Sequence, residues 1–232
     1  MSDFQSADHL SESYQQVQAE IDLACGKAQR DRSEITLLAV SKKHPIEAIE
    51  TVFNLGQRCF GENYVQEGVD KIQALRHLDI QWHFIGPLQS NKSRLVAEHF
   101  DWIHTVDRAK IAKRLSEQRP DHLAPLNLLI QVNVSNDPAK SGIQPEDVAD
   151  LANAINDLSR VTLRGLMCIP AQQTSAELAH DFSTMQTLFN GLKALYPSVD
   201  TLSMGMSQDL ELAIIHGSSM VRIGTAIFGA RT

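Results

Sequence analysis

Apolar positions along the chain fall into two alternating patterns. Short strand-like runs occur at residues 35–40 (ITLLAV), 58–61 (RCFG), 81–86 (QWHFIG) and 101–106 (DWIHTV). Four more follow at 126–134 (LNLLIQVNV), 161–169 (VTLRGLMCI), 199–205 (VDTLSMG) and 219–224 (SMVRIG). Runs of this length, rich in β-branched and aliphatic residues, predict strands. Between them lie segments with apolar residues spaced by three and four, such as PIEAIETVFNLG, RAKIAKRLSEQ, PEDVADLANAINDL and DFSTMQTLFNGLKALY. These predict helices, and Pro45 and Pro145 stand where a first helical turn tolerates proline. An amphipathic helix over about residues 8–30 precedes the alternation, with Leu10, Tyr14, Val17, Ile21, Leu23 and Ala24 near helical spacing.

Strands that alternate with helices are the mark of a parallel sheet, because parallel strands need crossover connections. Eight such units predict an α/β fold, a (β/α)8 TIM-type barrel with an extra N-terminal helix. The competing fold is an open doubly wound sheet, which carries a Gly-rich turn after its first strand. Here that turn reads VSKKHP and holds no glycine. No linker or composition shift marks a boundary, so residues 1–232 are expected to form one domain, with the barrel over about 35–230.

With 43% hydrophobic residues the chain can bury a large core. Its net charge of −7, pI near 5.7 and lack of a recurring basic patch argue against nucleic-acid binding as its main role. The N-terminal MSDFQSADHL has no basic start followed by an apolar core, so no secretory signal is expected. No apolar run approaches the roughly 20 residues of a membrane span. The three cysteines, Cys25, Cys59 and Cys168, form no zinc pattern and are expected to be reduced and mostly buried. Together these features predict a cytoplasmic protein with no membrane contact and no bound metal.

In barrels of this kind the working face is the set of loops that follow the strands. The first strand ends in Ser41-Lys42, the second in Gly61-Glu62-Asn63-Tyr64, and the third and fourth carry His83 and His104. The loop after the seventh strand, SMGMSQD, and the start of the loop after the eighth offer Ser203, Gly205, Ser207, Gly224 and Thr225. Small residues with free N–H groups at the start of a short helix suit a phosphate. Taken singly, they also suit tight turns. Arg222, inside an apolar run, is expected to meet either a structural carboxylate or a ligand at the mouth. Lys42 then lies on one side of the mouth with the anion site across from it. A lysine amine that forms a Schiff base needs partial desolvation, which a barrel mouth supplies. Alternation puts Lys42 on the face of Leu38 and Val40, without fixing which face is inward. His83 and His104 are expected to be satisfied core histidines. Glu62 and Asp209 are candidates to pair with Arg222 or Lys42, or to cap helices, and Lys140-Ser141-Gly142 to form a turn over the mouth.

The blocks LLAVSK, FGENYVQEGVDK, WHFIGPLQSNK, RGLMCIP, LSMGMSQD and MVRIGTAIFGAR occur in this order from about Ile35 to Arg231. The set resembles the YggS/PROSC family of pyridoxal phosphate (PLP) homeostasis proteins. The resemblance implies a barrel like the alanine racemase N-terminal domain, with PLP held as a Schiff base. Carried onto this chain, it implies that Lys42 is the Schiff-base lysine and that Arg222 faces the pyridine nitrogen. It implies phosphate contacts from Gly224 and Thr225, with further contacts from Ser207 and Ser203, and it brings Asn63 near the cofactor.

The role it implies is a non-catalytic carrier that buffers or delivers PLP. PLP-dependent apoenzymes are the expected partners, and a monomer is expected. Arginine cannot accept a hydrogen bond, so it would keep the pyridine nitrogen unprotonated and the ring a weak electron sink. Alanine racemases share this arginine but add a tyrosine base from a C-terminal β-domain. The chain ends at Thr232, so that domain is expected to be missing. The alternatives are a small PLP-dependent racemase or lyase and a sugar-phosphate isomerase barrel without PLP.

Overall fold

All eight strands are parallel and the last one pairs with the first. The computed structural model describes residues 7–171 and 174–230, so Arg231, at the end of the resemblance, lies outside the described residues. The strands are β1 (Thr36–Val40), β2 (Cys59–Glu62), β3 (Gln81–Phe84), β4 (Trp102–Val106), β5 (Leu126–Val132), β6 (Val161–Cys168), β7 (Thr201–Ser203) and β8 (Met220–Ile223). Each falls on one of the runs expected from alternation. The helices are α1 (Ala7–Ala28), α2 (Ile46–Asn54), α3 (Val65–Ala74), α4 (Ser93–His99), α5 (Ala109–Gln118), α6 (Val148–Asn156), α7 (Ser175–Leu195), α8 (Leu210–Ile215) and α9 (Thr225–Phe228). The expected single barrel with an added N-terminal helix is the fold observed.

Strand alternation sorts the side chains into two cores. Leu37, Ala39, Phe60, Phe84, Ile103, Leu128, Leu202 and Val221 face outward and join the apolar faces of the helices. Trp102, Leu129 and Met167 form a separate cluster inside the barrel. Leu38 belongs to the inner face, since a Cβ built on Gly61 would meet its side chain at 3.4 Å. Leu38 and Val40 therefore share the inward face, and Lys42 lies beyond the strand in the turn that follows it.

Two register shifts re-aim inner side chains. One lies between Ile103 and Val106, the other between Leu128 and Leu129 where β5 meets β6. At the second, Gly165 has φ of +143°, and a Cβ there would stand 1.9 Å from the Thr201 carbonyl oxygen. Only glycine fits that bulge. Its neighbour Arg164 stacks on the Trp102 ring at 4.6 Å and pairs with Asp200 at the N-terminal end of the barrel.

Because α9 has only four residues, α1 thickens the wall beside β8 by packing on α8, α9 and α2. Its buried stripe is Leu10, Tyr14, Val17, Ile21, Ala24 and Cys25. Leu23, expected on that stripe, is 61% exposed, and Cys25 takes its place. Arg30 continues the junction by donating to the carbonyl oxygens of Ile214 and Ser218 at 3.1 and 2.6 Å. All three cysteines are free thiols, Cys25 and Cys168 buried and Cys59 half-buried. Among the described residues, no helix is long and apolar enough to cross a membrane.

Candidate functional site at the C-terminal mouth of the barrel

Lys42 follows β1 in a turn closed by the His44 N–H on the Ser41 carbonyl, 3.1 Å. Within it Lys43 has φ of +63°, a left-handed conformation that side chains with a Cβ rarely adopt. The turn is held from two sides. On one side the Lys43 N–H donates to Glu67, and the Ser41 hydroxyl donates to Glu62 Oε1 at 2.6 Å. Lys71 ties these groups together by donating to the Ser41 carbonyl, Glu62 and Glu67 at 2.8, 2.8 and 2.7 Å. Burial raises the Glu62 carboxyl above its ordinary range, and Lys71 and Ser41 offset part of that rise. On the other side His44 stacks on Phe228 of α9, with centroids 5.1 Å apart. Lys42 itself is half-buried.

Arg222 enters from β8 and is buried. Its Nη1 donates to Ser203 Oγ and its Nη2 to the Cys168 carbonyl oxygen, both at 2.8 Å. Among the described residues no carboxylate forms an ion pair with it, although Asp209 acts on it from farther away. Burial pulls its pKa below the ordinary arginine value. The Arg222 N–H donates to the Gly205 carbonyl at 3.0 Å, which fastens the loop after β7 to β8. Gly205 has φ of +97°, and a Cβ there would meet Ala213 at 2.6 Å. Asp209 closes the loop by accepting from the Met206 N–H, leaving Ser207 exposed. Gly224 lies against β1, where a Cβ would stand 3.2 Å from the Val40 carbonyl oxygen. Thr225 opens α9 and is exposed.

Asn63 completes the arc after β2. Its Oδ1 is buried with no hydrogen-bond partner, as is Glu62 Oε2. Gly86 makes room for this turn, since a Cβ there would overlap the Asn63 carbonyl oxygen at 1.9 Å.

Below Arg222 the barrel holds a line of polar contacts. Ser203 Oγ lies 3.2 Å from His104 Nδ1, and His104 Nε2 lies 2.9 Å from His83 Nδ1. His83 Nε2 lies 3.2 Å from Gln81 Oε1. Burial lowers the pKa of both histidines, His83 to about 3 and His104 well below its ordinary value. Both are therefore neutral and satisfied, as expected of core histidines.

Lys42, Asn63, Ser203, Ser207, Arg222, Gly224 and Thr225 all sit at the ends of β1, β2, β7 and β8, which are consecutive around the closed barrel. This corrects the expectation that Lys42 faces the anion loops across the mouth. The pairing of Ala39 with Ile223 makes the two ends neighbours. Ser203 is fully buried, and its hydroxyl bonds Arg222 and His104. Glu62 pairs with Lys71, and Asp209 binds a loop amide. Gln131 binds the Ser141 carbonyl at 3.2 Å, and Ile143 bridges to Val132, so residues 140–143 run beside the end of β5. Sequence reasoning missed Glu67 and Lys71, although their i, i+4 spacing directly after β2 was a signal. It also missed Gly86.

Comparison with known proteins matches residues 14–232 to the family model of the alanine racemase N-terminal domain. The pyridoxal phosphate homeostasis protein of Escherichia coli K12 is 57% identical over 222 residues, 93% of this chain and 94% of that protein. The protein of the same name from Haemophilus influenzae is 56% identical over 220 residues, 93% of each chain. PipY of Synechococcus elongatus, solved with PLP bound, is 38% identical with a TM-score of 0.79, covering 95% of this chain and 100% of that one. Alanine racemase from Corynebacterium glutamicum shares the fold alone, at 13% identity and a TM-score of 0.71 over 97% of this chain and 61% of that one. Matched nearly end to end by relatives at this level of identity, the chain belongs to the pyridoxal phosphate homeostasis protein family.

Proposed function

We propose that the chain binds PLP at the mouth of its barrel, through Lys42 and Arg222, and serves as a carrier that buffers or delivers the cofactor. The observation that carries this reading is Arg222, a buried cation at the mouth whose side-chain hydrogen bonds among the described residues go to neutral oxygens. A buried charge without a counter-ion is costly unless something completes it. The residues present fit such a ligand. The Lys42 turn, the orphaned Asn63 Oδ1 and the close approach of Gly224 to Val40 line one arc.

Bound PLP supplies an aldehyde carbon that an amine can attack and an aromatic ring that draws electrons. Lys42 offers the amine, and its turn is pinned by Glu67, Glu62 and Lys71 below and by His44 on Phe228 beside it. Arg222 can only donate, so it stabilises an unprotonated ring nitrogen and supplies no proton to it. That disfavours carbanion chemistry and favours storage. Ser207, Thr225 and Gly224 suit the phosphate, and residues 203–209 and 224–225 contain no lysine. Hydrogen bonds to a charged group contribute about 1.5–3 kcal/mol each. A few of them permit specific yet exchangeable binding.

The test is an ultraviolet–visible spectrum of the PLP-loaded protein, with peptide mass mapping after borohydride reduction. The expected adduct maps to Lys42 and is absent from Lys42→Ala, which folds normally. The loaded protein is expected to restore a PLP-dependent apoenzyme and to show no turnover of amino acids. Equal absorbance in Lys42→Ala and the parent would refute the lysine assignment. Amino-acid turnover without apoenzyme reactivation would favour an enzyme.

A further inference from the structure

The polar line through the barrel has one consistent direction. Arginine is only a donor, so the Ser203 oxygen accepts from Arg222 Nη1. A neutral imidazole has one donating and one accepting nitrogen. The Cys59 thiol donates to Gln81 Oε1 at 3.4 Å, which marks that atom as the acceptor. His83 must then donate to it from Nε2 and accept at Nδ1. His104 in turn donates from Nε2 and accepts the Ser203 hydroxyl proton at Nδ1. In this sense every group is satisfied. In the opposite sense Ser203 would receive two N–H donors, and its own buried proton would have no acceptor.

The line is also rigid. Trp102 stacks flat on His83, with centroids 5.2 Å apart and an interplanar angle of 11°. His83, His104 and Ser203 are each fully buried, whereas Gln81 reaches solvent at the N-terminal end of the barrel. Gln81, His83 and His104 lie outside the phosphate loops, and Ser203, where the loop after β7 begins, has its hydroxyl on His104 and Arg222. Among the described residues the side chains of this line meet the mouth through Arg222.

We propose that Gln81, His83, His104 and Ser203 are positioning residues for Arg222, a one-directional hydrogen-bonded chain that holds its guanidinium toward the ring nitrogen of the ligand. Its ligand rests on the PLP-binding reading, and its geometry does not. The chain acts on recognition of the ring nitrogen and leaves recognition of the phosphate alone.

Two measurements test this. In the cofactor-free protein, long-range proton–nitrogen NMR spectra of the imidazoles are expected to show His83 and His104 both as Nε2–H tautomers. Either histidine as Nδ1–H overturns the proposal. Dissociation constants are then compared for PLP and for an analogue in which CH replaces the ring nitrogen. The parent protein is expected to prefer PLP about tenfold, the scale of one added hydrogen bond. Ser203→Ala and His104→Phe narrow that preference to within twofold while binding the analogue almost unchanged. Equal weakening of both ligands, or an unchanged preference, overturns the proposal. Should those variants fold poorly, Gln81→Leu at the exposed end is read by NMR. The direction is also set from the Arg222 end, so His83 and His104 are both expected to remain Nε2–H in that variant, and either one as Nδ1–H would overturn the assigned direction. A parent protein that binds no PLP would overturn the proposed function, and the tautomer spectra would still decide the chain.

Discussion

Lys71 and Arg222 are both buried cations beside the mouth, and they are held in opposite ways. Lys71, 6% exposed, has two carboxylates and a carbonyl on its ammonium group. Arg222, 5% exposed, has a hydroxyl and a carbonyl. The first charge is neutralised within the protein and fastens the Lys42 turn to α3. The second is left for something else to complete. Arg119 is also buried, but it donates to the Ala97 and Phe100 carbonyls at the end of α4, where helix carbonyls carry partial negative charge. Of these three cations, Arg222 alone has neither a carboxylate nor a helix end bonded to it among the described residues, which is why the proposed function rests on it.

Removing each cation is the sharpest way to break the comparison. Lys71→Met leaves Glu62 buried without its counter-ion and is expected to cost about 3–5 kcal/mol of stability, measured by urea unfolding. Arg222→Met leaves only neutral acceptors and is expected to cost about 1–3 kcal/mol, while PLP affinity falls sharply. Equal stability losses would erase the distinction drawn here.

Acid separates the two regions next. His83 and His104 are neutral when folded, and their folded pKa values lie below the unfolded value of 6.5. The unfolded chain binds protons there that the folded one refuses, so stability is lost as pH falls below that value. Lowering the pH from there to about 5 is expected to cost about 1.5–2 kcal/mol through His83, with a further loss of the same sign through His104. Urea midpoints across this range measure the slope, which flattens in the double variant His83→Phe/His104→Phe.

The smallest effect has the opposite sign. Burial raises the Glu62 pKa in the folded state above 4.5, so the folded protein binds the extra proton. Glu62 therefore favours folding below that value and loses this contribution as pH rises through its folded pKa. Subtracting the pH profile of Glu62→Gln from that of the parent isolates the effect. A difference that grows toward high pH in favour of the parent would show that Lys71 outweighs burial.

The eight strands were legible because a parallel strand buries both faces and its helices repeat at another period. That Lys42 follows the end of the first strand was legible, but alternation through Leu38 and Val40 left the inward face open. Its neighbours were not legible. Distance along the chain separates Lys42 from Gly224, and closure of the barrel abolishes that distance by pairing β1 with β8. Ser203 read as a loop donor because it is small and close to glycine. As the last residue of β7 it is instead fully buried beneath Arg222. The i, i+4 spacing of Glu67 and Lys71 was legible, but the reach of Lys71 to Glu62 and the Ser41 carbonyl is made between α3 and the strand ends and appears only in the fold.

The pairing of β1 with β8 also sets a timetable for the newborn protein. Lys42 leaves the ribosome early, while Arg222 and Gly224 emerge about 10–35 s later at synthesis rates of about 5–20 residues per second. Until β8 docks, β1 has an open edge, and the mouth lacks its arginine and half of its wall. Under the proposed function, a growing chain could offer a lysine to a reactive aldehyde but could not retain the molecule that bears it. Capture would then wait for closure, and possession of the ligand would certify that translation and folding have both been completed.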